Sequence, residues 1–106
     1  MAQERMTAEA RTAQLIAAGY KIAKAKGIAK VTRAAVARET KVSDGLLNRY
    51  FGTREGLRTA VMQHAADQRD AATLAAAAMV YELDEITMTK ALRVEVARLR
   101  IGWTRN

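Results

Sequence analysis

The stretch Val42–Leu57, VSDGLLNRYFGTREGL, holds two hydroxyl residues placed to cap helices and, between them, a short segment whose two sides differ in chemistry. Ser43 is a natural N-cap, and a helix is expected from it to about Tyr50. Leu47 and Phe51 are four residues apart and share the inner face, while Asp44, Leu46, Asn48 and Arg49 lie on the outward side. Thr53 then caps the next helix. A helix this short, with a greasy side and a side of mixed hydrogen-bonding groups, is built to present something.

Working outward, Thr32 starts another short helix, with Val36 and Ala35 on its buried face and a chain reversal around Thr40 to Val42. Upstream, Thr7 caps a first helix whose apolar residues Leu15, Ile16, Tyr20, Ile22 and Ala23 fall at helical spacing, and Gly27 ends it. Downstream, the helix beginning at Thr53 is rich in alanine and is expected to run past Ala75, with Leu57, Val61 and Ala65 as its packing stripe. After Glu82 to Asp84 a fifth helix is expected, because Met88, Leu92, Val96, Leu99 and Trp103 recur at helical spacing, with Val94 and Ile101 widening the stripe. So broad a face suggests burial against a second copy. With no proline and no run of alternating β-branched residues, the fold class is all-α: a three-helix bundle, a long fourth helix and a C-terminal helix used in dimerisation.

Two short helices joined by a tight reversal have the size of a helix-turn-helix, in which the second helix enters the major groove of DNA. The outward residues suit that task. Arg49 can donate twice to guanine, Asn48 can pair with adenine, Asp44 can accept from cytosine, and Leu46 can touch a thymine methyl. Gly45 leaves room for close approach. Thr32, Ser43 and Thr53 each sit where free backbone amides and a positive dipole end favour a phosphate. Arg54, one residue inside its helix, opposes that dipole unless an anion lies in front of it.

Charge points the same way. The 106 residues carry a formal net charge of +7. Nine basic residues between Lys21 and Arg54, set against Glu39 and Asp44 alone, give that segment a local +7, which leaves the rest near neutral. A single-sign block within a folding segment is the footprint of a polyanion binder. The absence of cysteine removes disulfides, thiolate zinc sites and cysteine nucleophiles. One histidine, His64, cannot assemble a nucleophile, base and orienting group, so no enzyme and no cofactor are expected. Asp67 and Asp70 read as solvated helix charge. No apolar run reaches signal-peptide or membrane-spanning length, so a cytoplasmic location without membrane contact is expected.

Residues from about Arg11 to Val61 resemble the DNA-binding domain of the TetR family of bacterial transcriptional regulators, through LIAAGYKIAKAKG, VTRAAVA and VSDGLLNRYFGTREGL. The resemblance implies a homodimer on an operator with two-fold symmetry. Carried over by position, Thr32, Tyr50 and Arg54 would hold phosphates, and Asp44, Gly45, Leu46 and Arg49 would face bases. Ser43, Thr53 and Lys41 join the phosphate set on their own chemistry, as Asn48 and Arg33 join the base set. The chain departs from the family in four ways. Asn48 stands where tyrosine is usual, and Lys41 where the turn usually has glycine. Arg33 lies one position before the family's basic site, and the C-terminal part is short, so a small-molecule inducer is not expected. Residues 1–56 then form the DNA-binding domain and 57–106 a helical segment for dimerisation. The expected function is a dimeric repressor, with an architectural DNA-coating protein or a protein-interaction module as alternatives.

Overall fold

The computed structural model describes the backbone of residues 6–104 and the side chains of residues 6–100. Among the described residues six α-helices follow one another: α1 (Ala8–Lys26), α2 (Arg33–Thr40), α3 (Asp44–Phe51), α4 (Arg54–Asp67), α5 (Ala71–Ala78) and α6 (Lys90–Thr104), with a 3-10 turn at Ile28–Lys30 between α1 and α2. Each of the four expected caps is made by a side-chain oxygen accepting an amide three residues on. Thr7 takes Ala10 N–H at 3.0 Å, Thr32 takes Ala35 at 3.1 Å, Ser43 takes Leu46 at 3.1 Å and Thr53 takes Gly56 at 2.9 Å. Such a bond satisfies one of the amides that a helix start leaves without an internal partner. Gly27 ends α1 at φ 97° with its N–H on Ala23 O.

The first four helices close on a core of Leu15, Ala18, Ile28, Val31, Val36, Leu47, Leu57, Val61 and Met62, all buried. α1 lies directly on α4: a Cβ at Gly19 would sit 2.6 Å from Val61 Cγ2, so Val61 fills the space that a side chain at position 19 would take. Arg58 of α4 fastens the 3-10 turn, donating from Nε to Val31 O at 2.9 Å and from Nη2 to Ala29 O at 2.7 Å. Lys21 of α1 and Glu39 of α2 pair at 2.9 Å across the surface.

The single helix expected past Ala75 is divided. α4 stops at Asp67, Arg69 takes the left-handed conformation at φ 57°, and Asp70 caps α5. Asp70 is therefore not the solvated charge that its spacing from Asp67 suggested. Its carboxylate accepts Thr73 N–H at 3.1 Å, Thr73 Oγ1–H at 2.7 Å and the Tyr20 hydroxyl at 2.6 Å. Alanine's high helix propensity favoured continuity, but a capping carboxylate tied to α1 offers more than propensity loses. The last helix also begins later than expected. Residues 79–89 form a connection pinned to α4: Gln63 accepts Thr87 N–H at 3.0 Å and donates to Thr87 O at 3.1 Å, and the Tyr81 hydroxyl donates to Glu55 O at 3.1 Å. Thr89 caps α6 by accepting Leu92 N–H at 3.2 Å.

Leu92 and Val96 of α6 are buried with Leu74, Ala75 and Ile86, so part of the apolar stripe packs back on α5. Val94 does not extend that buried face; it is 51% exposed, near Val80 at 68% and Met79 at 50% in degree of exposure. The places of Ile101 and Trp103 in the stripe lie outside the described side chains.

The Tyr20–Asp70 bond makes stability pH-dependent. Burial pushes the Tyr20 hydroxyl up to about 12 from 10.0, with the hydrogen bond to Asp70 adding to it. A raised value means that the fold favours the neutral phenol, so this contribution is complete below pH 10 and vanishes as pH rises through about 12. Burial pushes the Asp70 carboxyl up, but the hydrogen bonds from Tyr20 and Thr73 outweigh it and hold it below its ordinary value. Its contribution is present above the ordinary carboxylate range and is lost in acid. Denaturant unfolding should show Asp70→Ala losing about 2 kcal/mol at pH 7. The stability gap between the native chain and Tyr20→Phe should narrow between pH 10 and 12, and a gap constant over that range would contradict the assignment.

Candidate nucleic-acid interface

α3 is placed by one deeply buried residue. Leu47 is fully enclosed and Phe51 is half-buried beside it, which leaves the opposite flank facing outward. On that flank Asp44, Gly45, Asn48 and Arg49 are exposed, and Leu46 is half-buried. Leu46 thus neither joins Leu47 in the core nor stands fully free. Tyr50 is half-buried, with its ring 6.4 Å from that of Phe51. The turn ahead of α3 runs through Lys41, which takes φ 61° and ψ 29°. A lysine there costs roughly 1 kcal/mol relative to glycine.

The candidate phosphate ligands sit at three successive helix starts. The hydroxyl oxygens of Thr32, Ser43 and Thr53 are occupied by their capping bonds, and each hydroxyl hydrogen remains able to donate. Arg54 is exposed and lies 3.3 Å from Glu55. Because both side chains are more than half exposed, that pair is weak and can yield to a stronger anion.

The basic segment divides by what its members touch. Lys21 is paired with Glu39, and Lys24 lies over the Tyr20 ring at 5.2 Å. Arg33 reaches across to α3, where its Nη1 donates to Asn48 Oδ1 at 2.7 Å and to Gly52 O at 3.3 Å, and its Nε is 3.4 Å from Asp44 Oδ1. Three residues assigned to base contact, Arg33, Asp44 and Asn48, are therefore brought together into one cluster. Among the described residues Lys26, Lys30, Arg38, Lys41 and Arg49 are exposed and make no ion pair. Arg49 is the arginine of α3 that remains uncommitted within the described fold.

Two residues that position the site were not singled out in the sequence. Gly56 lies in the first turn of α4, where a Cβ would overlap the carbonyl oxygen of Phe51, so the step from α3 to α4 closes only around a bare backbone. Arg58 holds the turn before α2 by its carbonyls. A glycine inside a helical pattern is the one local signal that could have revealed the first; nothing local reveals the second.

Residues 15–61 match the family model described as bacterial regulatory proteins, tetR family. Among curated proteins, the HTH-type transcriptional regulator BetI of Paraburkholderia phytofirmans is 41% identical over 56 residues, covering 53% of this chain and 29% of that protein. The BetI regulator of Burkholderia thailandensis is 38% identical over 65 residues, covering 61% of this chain and 33% of that protein. The matching part is thus about a third of the length of these relatives. No solved structure matches the chain. Among the described residues no helix is long and apolar enough to cross a membrane.

Proposed function

We propose that the chain, whose residues 15–61 match the tetR family of bacterial regulatory proteins, is a sequence-specific DNA-binding transcriptional regulator, a repressor that works as a dimer on an operator with two-fold symmetry. The observation that carries this reading is the exposed polar flank of α3, held outward by buried Leu47 and bordered by three capped helix starts. In this reading residues 1–56 dock on DNA and 57–106 pair the subunits, with exposed Met79, Val80 and Val94 as the apolar surface available to a second copy. The expectation that no inducer binds rested on length, and length decides nothing for a chain that matches a third of its relatives.

The mechanism is occupation of a promoter. Thr32, Ser43, Tyr50, Thr53, Arg54 and Lys41 contact phosphates and fix the register, while Gly45, Leu46, Arg49 and the cluster of Arg33, Asp44 and Asn48 meet the base edges. Selection of bound duplexes from a random pool, with the mass of the complex measured alongside, tests this. A palindromic consensus held by two chains is expected; no enrichment would favour a DNA-coating protein or an interaction module. Within the selected site, Arg49→Ala should relax choice at one base pair per half-site, at about 1 to 3 kcal/mol. Arg54→Ala should weaken all sequences alike. Unchanged base preference in the Arg49 variant would refute its assignment.

A further inference from the structure

The cluster on α3 makes a sharper statement about specificity than residue types allow, and it rests on the regulator reading above. Asn48 on its own can pair with adenine by donating from Nδ2 and accepting at Oδ1. In the fold, Oδ1 is already held by Arg33 Nη1 at 2.7 Å. Arginine has donors and no acceptor, so the amide atom facing it must be the oxygen. Arg33 is itself fixed on two further sides, by Gly52 O at 3.3 Å and by the Asp44 carboxylate at 3.4 Å, and its side chain is only 35% exposed. The amide of Asn48 is therefore oriented before any DNA arrives.

We infer that Arg33 is a positioning residue that turns Asn48 into a donor-only reader, selecting a base with a keto oxygen in the major groove, guanine or thymine, instead of adenine. Oδ1 keeps a second lone pair, but with the positive guanidinium 2.7 Å away a donor amine is disfavoured there, so what Asn48 offers an approaching base is its Nδ2 amine, which donates and cannot accept. Guanine O6 and N7 and thymine O4 accept from such a group, whereas adenine accepts at N7 alone and loses the paired N6-to-Oδ1 bond that would single it out. The amino groups of adenine and cytosine, approaching Oδ1, would meet the positive guanidinium that already occupies it. Asp44 lowers the net charge of the cluster but carries no donor, so it does not restore an adenine contact.

The same random-pool selection tests this, run on the full chain and four variants. Asn48→Ala identifies the position read, as the one whose preference disappears. At that position the native chain should favour guanine or thymine about five- to tenfold over adenine. Asn48→Asp keeps the bond to Arg33 but replaces the outward amine with an oxygen, so preference should switch to cytosine or adenine. Arg33→Met frees the amide and should move preference toward adenine, whereas Arg33→Lys, which retains a donor, should keep the keto preference. Adenine selected by the native chain, or no position lost in Asn48→Ala, would overturn the inference while leaving the regulator reading intact. Enrichment at no position would overturn the regulator reading and this assignment with it. Should Arg33→Met fail to fold, the base that the native chain selects at the position lost in Asn48→Ala still decides the matter.

Discussion

Raising salt from about 50 to about 200 mM is expected to lower affinity for the selected duplex by about three to five orders of magnitude. Each phosphate neutralised by a lysine or arginine releases condensed counterions, so the logarithm of affinity falls in proportion to the number of contacts. The proposed cationic contacts, Lys41 and Arg54 with exposed Lys26, Lys30 and Arg38 nearby in sequence, are sufficient for a dimer to make about six to ten such contacts. The loss should be shared by random duplex, since phosphates carry no sequence. Removing one cationic contact, as in Arg54→Ala, should reduce the salt slope by about one per subunit. Fluorescence anisotropy over a salt series measures this. A flat response would mean that the basic segment is a solvated surface and that any partner is engaged elsewhere.

Gly56→Ala should be the most damaging single methyl addition in the DNA-binding half. The new Cβ would overlap the Phe51 carbonyl oxygen, which already accepts Thr53 N–H at 2.8 Å. Relief requires moving either the last turn of α3 or the first turn of α4, and both are tied to the core through Leu47 and Leu57. Overpacking against backbone, which cannot rotate away, should cost about 3 kcal/mol. For a chain of this size that lowers the melting temperature by about 12 °C or more. Gly45 supplies the control. It is also helical, but its nearest neighbour to a new Cβ is Ser43 Oγ at 4.0 Å, so Gly45→Ala should leave the melting temperature level or slightly higher. Equal melting temperatures for the two variants would contradict the close approach. Gly19→Ala should fall between them, because the obstacle there is the Val61 side chain, which can shift.

The contrast between these glycines also shows which features could be read in the sequence. The starts of α1 to α4 were legible because a cap is a local device: Thr7, Thr32, Ser43 and Thr53 each meet an amide only three residues on. The polar flank of α3 was legible for the same reason, since helical periodicity separates Leu47 from Asn48 without knowledge of any other element. The break after Asp67 was not. Asp70 caps α5 and also binds Tyr20, fifty residues away in α1, whereas the local alanine-rich composition argued for an unbroken helix. Arg58 belongs to the same class, because its acceptors are carbonyls 27 and 29 residues away in the chain. Arg33 is the case with consequences for function. Its residue type suggested base contact, but the crossing of α2 over α3 hands its donors to Asn48 and Gly52, and only the crossing reveals that.

The claim on which the account depends is that the outward flank of α3 lies in the major groove. Methylation interference on the selected duplex measures it directly, because methylation of guanine N7 obstructs the major groove and methylation of adenine N3 obstructs the minor groove. The account predicts that N7 methylation at one guanine in each half-site abolishes binding of the native chain, and that Arg49→Ala becomes indifferent to that same methyl group. Interference confined to adenine N3, or an unaltered N7 pattern in the Arg49 variant, would contradict it.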